Sequence, residues 1–163
     1  MAADAFAMAA AFDWIMVDLK EPRAARLAAE AIAGLDPNRF IFASTEQADL
    51  RTVRSALPLA RTSLSFPRDP WPARALRGAY LQTMRLALPA LIALRVRRHR
   101  PDQLTLNHRY VTLAALRMAR RFRRPVYVWT VDEPERARWL AAHGVTGIIT
   151  NRPLAIAAAL ADV

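Results

Sequence analysis

Cysteine is absent from this sequence, and glycine occurs only four times in 163 residues. Without thiols, disulfides and thiolate metal centres are excluded, and the redox compartment is unreadable. Long apolar runs are missing as well. The longest, Leu86 to Leu94, is about half of what a bilayer-spanning helix needs, so no transmembrane segment is expected. The apolar N-terminal stretch carries Asp4 and Asp13 and no basic residue before Lys20. A secretory signal starts with positive charge, so no signal peptide is read and a cytoplasmic location is expected. No Ser-His-Asp order, HExxH helix, P-loop or other nucleophile motif appears.

What is present fits a folded domain. Hydrophobic residues make up 54% and charged residues 23%, which excludes a disordered chain. The length suits one domain with a real core, and residues 1–163 are read as that single domain. The 24 basic residues outnumber 14 acidic ones, giving a net charge of +10. All but Lys20 are arginine, and 34 positions are alanine, a bias that looks like GC-rich coding. Only Arg95 to Arg100 forms a dense basic cluster, and no aromatic residues interleave with it as a base-stacking groove requires. A nucleic-acid partner is therefore not expected. An anionic substrate or an acidic membrane surface suits the charge equally well.

Periodicity gives the architecture. Short apolar runs at Trp14–Leu19, Phe40–Ser44, Thr62–Phe66, Leu104–Asn107, Val126–Thr130 and Val145–Thr150 read as strands. Between them lie helical stretches. Pro22 opens the first, with Leu27, Ala28, Ala31 and Leu35 on one face and Gly34 near its end. Leu50, Val53 and Leu57 mark the second, stopped by Pro58. Pro67 to Pro72 form a loop, then Ala73 to Arg100 reads as helical, with Pro89 bending or splitting it. Thr112 to Phe122 is a fourth helix. The next starts at Asp132-Glu-Pro-Glu135 with acidic residues at cap and third positions, buries Ala137, Leu140 and Ala141, and ends at Gly144. Pro153 opens a last helix to Ala161. Six strand–helix units imply a parallel sheet with helices outside it. A closed (β/α)8 barrel has eight units in typically about 250 residues, so this pattern is two short. An open doubly wound sheet is the alternative, but its Gly-rich first turn is missing.

Sites in parallel α/β folds form at the carboxyl ends of strands. Alternation puts Asp18 and Lys20 on one face, opposite Val17 and Leu19. Side by side, they suit a divalent cation and a phosphate oxygen respectively, and oxygen ligation favours Mg²⁺ or Ca²⁺. A structural ion pair is the plainer reading of the same two residues. The other strand ends offer Ser44, Asn107-His108 and Trp129-Thr130. His108 suits a phosphate or hydroxyl, or a purely structural hydrogen bond. Trp129 suits an apolar wall against a substrate, or plain core. His99 and His143 sit in helix tails, where a charge interacts well with the dipole, and neither looks like a ligand.

The run Arg124-Pro-Val-Tyr-Val-Trp-Thr-Val-Asp132, followed by Gly144-Val-Thr-Gly-Ile-Ile-Thr-Asn-Arg-Pro153, resembles the C-terminal signature of glycerophosphodiester phosphodiesterases. That family has a "vyvWTvn" strand, a helix and then "GvDgiiTdrP". Leu106-Asn-His-Arg-Tyr-Val-Thr112 is similar to its "lhhrlvt" strand end, and Val17-Asp-Leu-Lys20 to its "iElK" segment. The resemblance spans nearly the whole chain and implies an incomplete TIM (β/α)8 barrel, entered at the third barrel strand. It implies a phosphoric diester hydrolase of glycerol and lipid metabolism. Such an enzyme splits a small-molecule glycerophosphodiester into glycerol 3-phosphate and an alcohol with a divalent cation. By position, Asp18 corresponds to a metal carboxylate, where the family usually has glutamate. Lys20 corresponds to the catalytic lysine near the phosphate and Trp129 to the aromatic wall of the glycerol pocket, while His108, at its strand end, is taken as a substrate contact. Thr146 stands where the family commonly has aspartate, and Leu154 where an acidic residue follows the proline.

The family's N-terminal half carries "HRG", "PENT" and "HD" motifs, which supply the acid/base histidines and two of three metal carboxylates. This sequence contains none of them, so the chain is expected to be a fragment, inactive alone and holding its metal weakly. A degenerate, noncatalytic family member acting as a binding or interaction protein is the alternative. An unrelated basic α/β binding module is a third reading. Without its first two strands the barrel leaves apolar edges at Trp14–Leu19 and Val145–Ile149, so self-association through open edges is expected.

Overall fold

The computed structural model describes residues 12–21, 23–67 and 76–161. The chain divides after Leu64 into two compact units. Pro22, the loop residues 68–72 and the expected helix start at 73–75 lie outside the described residues.

The first unit contains strands β1 (Ile15–Leu19) and β2 (Phe40–Ser44), helices α1 (Ala24–Ala31) and α2 (Gln47–Ala56), and the start of strand β3 (Arg61–Phe66). The strands run parallel in chain order, with Asp18 beside Ala43 and Ser44 beside Leu64. Ile15, Val17 and Leu19 share a core with Phe40, Phe42, Ala25, Ala28, Ile32 and Val53. The alternation of β1 thus sets Asp18 on the opposite face, as the sequence predicts. The inward face of α1 is only partly the expected one, since Ala28 packs on the core but Leu27 and Leu35 do not. Ala25, Ala29 and Ile32 are buried, while Leu27 is 61% and Leu35 45% exposed. In an alanine-rich helix the small residues let the backbone lie close to the sheet, so hydrophobicity alone points to the wrong stripe.

The second unit holds α3 (Arg77–His99), β4 (Gln103–Asn107), α4 (Leu113–Arg121), β5 (Val126–Trp129), α5 (Pro134–Ala142), β6 (Gly147–Ile148) and α6 (Pro153–Leu160). Its strands too are parallel and successive: Asn107 sits beside Trp129, and Tyr127 beside Gly147. Leu104, Leu106 and Val128 are fully buried, as are Ala115 and Ala119 of α4 and Ala137 and Leu140 of α5. Thr105, Asn107, Tyr127 and Trp129 take the other face. Helix α3 runs unbroken through Pro89. Leu88, Ile92 and Val96 recur every four residues along its buried stripe, and that packing outweighs the hydrogen bond proline removes. None of the described helices is long and apolar enough to cross a membrane.

Two further expectations are corrected. Glu133 caps α5 without any side-chain hydrogen bond, so the acidic capping box does not form. Asp132 is engaged elsewhere, as described below. The last strand shrinks to Gly147–Ile148 because Val145 donates back to the Leu140 carbonyl to close α5. That closure is a Schellman motif, with Gly144 at φ +69° and its N–H on the Ala141 carbonyl. Helix α4 ends in the same motif, Arg123 donating to Arg120 and Arg124 to Ala119, but with arginine at φ +52° in the glycine position.

Gly147 makes the β5–β6 contact possible. A Cβ there would lie 2.7 Å from Cδ1 and 2.8 Å from Cε1 of Tyr127, and an aromatic ring yields little. Gly147→Ala should therefore destabilise the chain by about 1–3 kcal/mol, in the range of other overpacked sites. Chemical denaturation checks this: the midpoint should fall with the slope unchanged.

Candidate functional site

Each unit presents its polar residues at the carboxyl ends of its strands. In the first, Asp18 and Lys20 pair with one another through Oδ2 and Nζ, and both side chains are largely exposed. An exposed pair of this kind contributes little to stability. Ser44 is spent locally: its buried hydroxyl donates to Asp49 Oδ2 at 2.8 Å and accepts the Glu46 N–H at 3.0 Å. Among the described residues no three His, Asp or Glu side chains converge as a metal would require. Asp18 alone, already facing an ammonium, does not make a divalent-cation site.

The second unit brings His108 and Trp129 together. The His108 N–H donates to the Trp129 carbonyl at 2.7 Å, which carries the β4–β5 ladder one residue past the strand. Asn107 Oδ1 accepts the Arg109 N–H, and the Asn107 carbonyl accepts the Tyr110 N–H. Arg136 reaches over from α5 and donates to the carbonyls of His108 and Val111 at 2.7 and 2.8 Å. Its guanidinium also stacks on Trp139, 4.5 Å from the ring centroid. The loop 108–111 is thereby fixed from two sides. Beside Asn107, the indole N–H of Trp129 is shielded from solvent and lacks an acceptor among the described residues. Native structures rarely leave such a donor unpaired.

His108 borders an open groove of about 470 Å³ with Arg77, Arg85, Arg109, Tyr110 and Glu133. Sequence reading did not single out the arginines here. Arg136 did carry a signal, since a cation in the first turn of a helix opposes the dipole and needs a reason to be there. Asp132 is a second residue with an unanticipated role. Its carboxylate accepts from Thr150 Oγ1 at 2.9 Å and from the backbone and side-chain nitrogens of Asn151 at 2.8 and 3.0 Å. These bonds, the Asn151 backbone N–H first, hold its carboxyl below the usual range. The clasp joins the segment after β5 to the segment after β6.

Burial, then the guanidiniums of Arg136 and Arg109, pushes the His108 imidazole down from its ordinary value, so it is neutral at pH 7. An unfolded chain takes up that proton near pH ~6.5, the folded chain only at lower pH. The associated stability is therefore complete above about pH 6.5 and is lost as the pH falls through the lowered value. Imidazole resonances followed by NMR should titrate at lower pH for His108 than for a free histidine. His108→Gln should flatten the stability profile over that same interval.

The sequence matches the glycerophosphoryl diester phosphodiesterase family over residues 15–155. No curated protein sequence matches the chain. Solved structures do. A putative glycerophosphoryl diester phosphodiesterase from Silicibacter pomeroyi superposes with a TM-score of 0.69 at 21% identity, over 91% of this chain and 50% of its own. An Oleispira antarctica phosphodiesterase in complex with sn-glycerol-3-phosphate gives 0.67 at 13%, over 90% and 55%. A putative glycerophosphodiester phosphodiesterase from Galdieria sulphuraria gives 0.68 at 14%, over 96% and 61%. The chain thus spans roughly half to three-fifths of the length of these structures. The likeness is one of fold, an incomplete TIM (β/α)8 barrel of six strand–helix units. With 141 of its 163 residues inside the matched range, the chain belongs to the glycerophosphoryl diester phosphodiesterase family.

Proposed function

We propose that this chain is one partial barrel domain, residues 1–163, of a metal-dependent hydrolase that cleaves glycerophosphodiesters into glycerol 3-phosphate and an alcohol. The family match over residues 15–155 is the observation that carries the reading. Trp129, whose indole donor has no acceptor among the described residues, and His108, neutral and at the adjacent strand end, are read as substrate contacts. A neutral imidazole can donate or accept toward a phosphate or hydroxyl without adding charge. Lys20 is read as the catalytic lysine, its ammonium directed to a phosphate oxygen. Asp18 is read as one metal carboxylate. In the complete site Lys20 and Asp18 exchange their mutual ion pair for these partners, at small cost because the pair is exposed. The remaining ligands and the acid/base histidines belong to the family's N-terminal motifs.

On its own, the 163-residue chain should hydrolyse glycerophosphocholine no faster than Mg²⁺ or Ca²⁺ in buffer. Each missing acid/base group typically contributes about 10²- to 10⁴-fold. Adding a peptide that holds the family's two N-terminal strand–helix units should produce metal-dependent release of glycerol 3-phosphate. Asp18→Ala should then abolish that release. A second reading, a noncatalytic family member that binds rather than cleaves, draws on the lack of any converging ligand triplet among the described residues. Complementation without activity, but with retained substrate binding, would favour it.

The free edges of β1 and β6 are read as pairing surfaces for a further chain. Among the described residues, strand β1 pairs with β2 alone, and β6 with β5 alone. An unpaired, apolar edge is a template for another strand. Sedimentation of the purified chain should therefore give species larger than 18.3 kDa, and the complementing peptide should shift them to a single stoichiometric complex. A compact monomer in its absence would contradict this.

A further inference from the structure

The groove beside His108 holds more positive charge than the assigned roles use. Arg77, Arg85 and Arg109 line it, against the single carboxylate of Glu133 among the described lining residues. Neither Arg77 nor Arg85 has an ion-pair partner among the described residues. Arg85 is nonetheless held in place: its Nε donates to the Arg109 carbonyl at 2.9 Å, and its other N–H groups remain as donors. Arg136 stands behind, near enough to Arg85 that the two guanidiniums repel. Tyr110, buried, meets Tyr80 edge-on at 6.1 Å between centroids and makes the wall rigid.

Arg85, held through its Nε and with no ion-pair partner among the described residues, stands beside Arg77 in a groove of net positive lining, which describes an anion receptor. Repulsion between like charges is relieved when an oxyanion arrives, and arginine forks match phosphate and carboxylate geometry. The groove opens beside His108, at the carboxyl end of β4, so whatever it binds lies next to the substrate contacts. We propose that this groove receives a phosphate or carboxylate carried on the alcohol arm of the diester, so that preferred substrates have an anionic rather than a cationic alcohol. The assignment to the alcohol arm rests on the diesterase reading; the affinity for an oxyanion rests on the groove alone.

Calorimetric titration of the 163-residue chain tests both parts with three ligands: inorganic phosphate, glycerophosphoinositol phosphate and glycerophosphocholine. Inorganic phosphate and the inositol phosphate ester should bind, and glycerophosphocholine should bind at least several-fold more weakly. Arg85→Gln should weaken both anions roughly tenfold, the effect of losing one charge-assisted hydrogen bond. Arg85→Lys, which keeps the charge, should retain most of the binding, and Glu133→Gln should tighten it. Raised salt should weaken all of it. Glycerophosphocholine bound as tightly as the inositol phosphate ester overturns the proposal, as does phosphate binding untouched by Arg85→Gln and Glu133→Gln. Failure of the diesterase reading gives another pattern. Inorganic phosphate then binds and responds to Arg85 while neither glycerophosphodiester binds, which removes the substrate assignment and leaves the anion site.

Discussion

Parallel pairing in strict register is the constraint on which the rest depends. With Asp18 level with Ala43 and Asn107 level with Trp129, successive residues must point to opposite faces. The helices claim one face in each unit, taking Leu19 and Phe42 in the first and Leu106 and Val128 in the second. The other face carries Asp18 next to Ala43 in the first unit, and Thr105, Asn107, Tyr127 and Trp129 in the second. A shift of one residue in either pairing would bury Asp18 among the core residues or turn Trp129 under α4 and α5. The candidate chemistry is thus a by-product of how the core is packed.

The loop that follows β4 shows how such a face becomes a site. Asn107 holds the backbone at Arg109 and Tyr110, while Arg136 takes the carbonyls of His108 and Val111. A loop so pinned keeps its side chains in place before any ligand arrives, which lowers the entropic cost of binding. The same Arg136 also depresses the basicity of His108. One guanidinium therefore pins the loop backbone and adds to the burial that lowers the basicity of the imidazole it carries.

Much of this was legible in the sequence, for stateable reasons. Strand alternation set Asp18 opposite Val17 and Leu19, because period-two geometry is built into an extended backbone, and the ends of the apolar runs located Asn107 and Trp129. The family motifs located the strand ends because Val-Tyr-Val-Trp-Thr is distinctive. Helix faces were less legible: alanine scores as weakly apolar, yet Ala25 and Ala29, not Leu27, meet the sheet. The basic groove was not legible at all. Arg77 and Arg85 come from a helix, Arg109 from a loop some twenty-five residues later, and only tertiary packing unites them. Asp132 looked like a helix cap because Asp-Glu-Pro-Glu fits that pattern. Thr150 and Asn151, eighteen and nineteen residues on, bid for the same oxygens and took them.

The two Schellman closures differ in one respect that bears on the composition of the whole chain. Gly144 enters the left-handed region without a side-chain penalty, whereas Arg123 enters it with a Cβ, as does Arg100 at the end of α3. For an L-residue that conformation costs on the order of 1 kcal/mol. An arginine-rich, glycine-poor sequence is therefore not a neutral repainting of the surface. The same bias that raises net charge also places side chains where the backbone would turn more freely without them. Two helix ends, at Arg100 and Arg123, thus carry a backbone cost that glycine would remove.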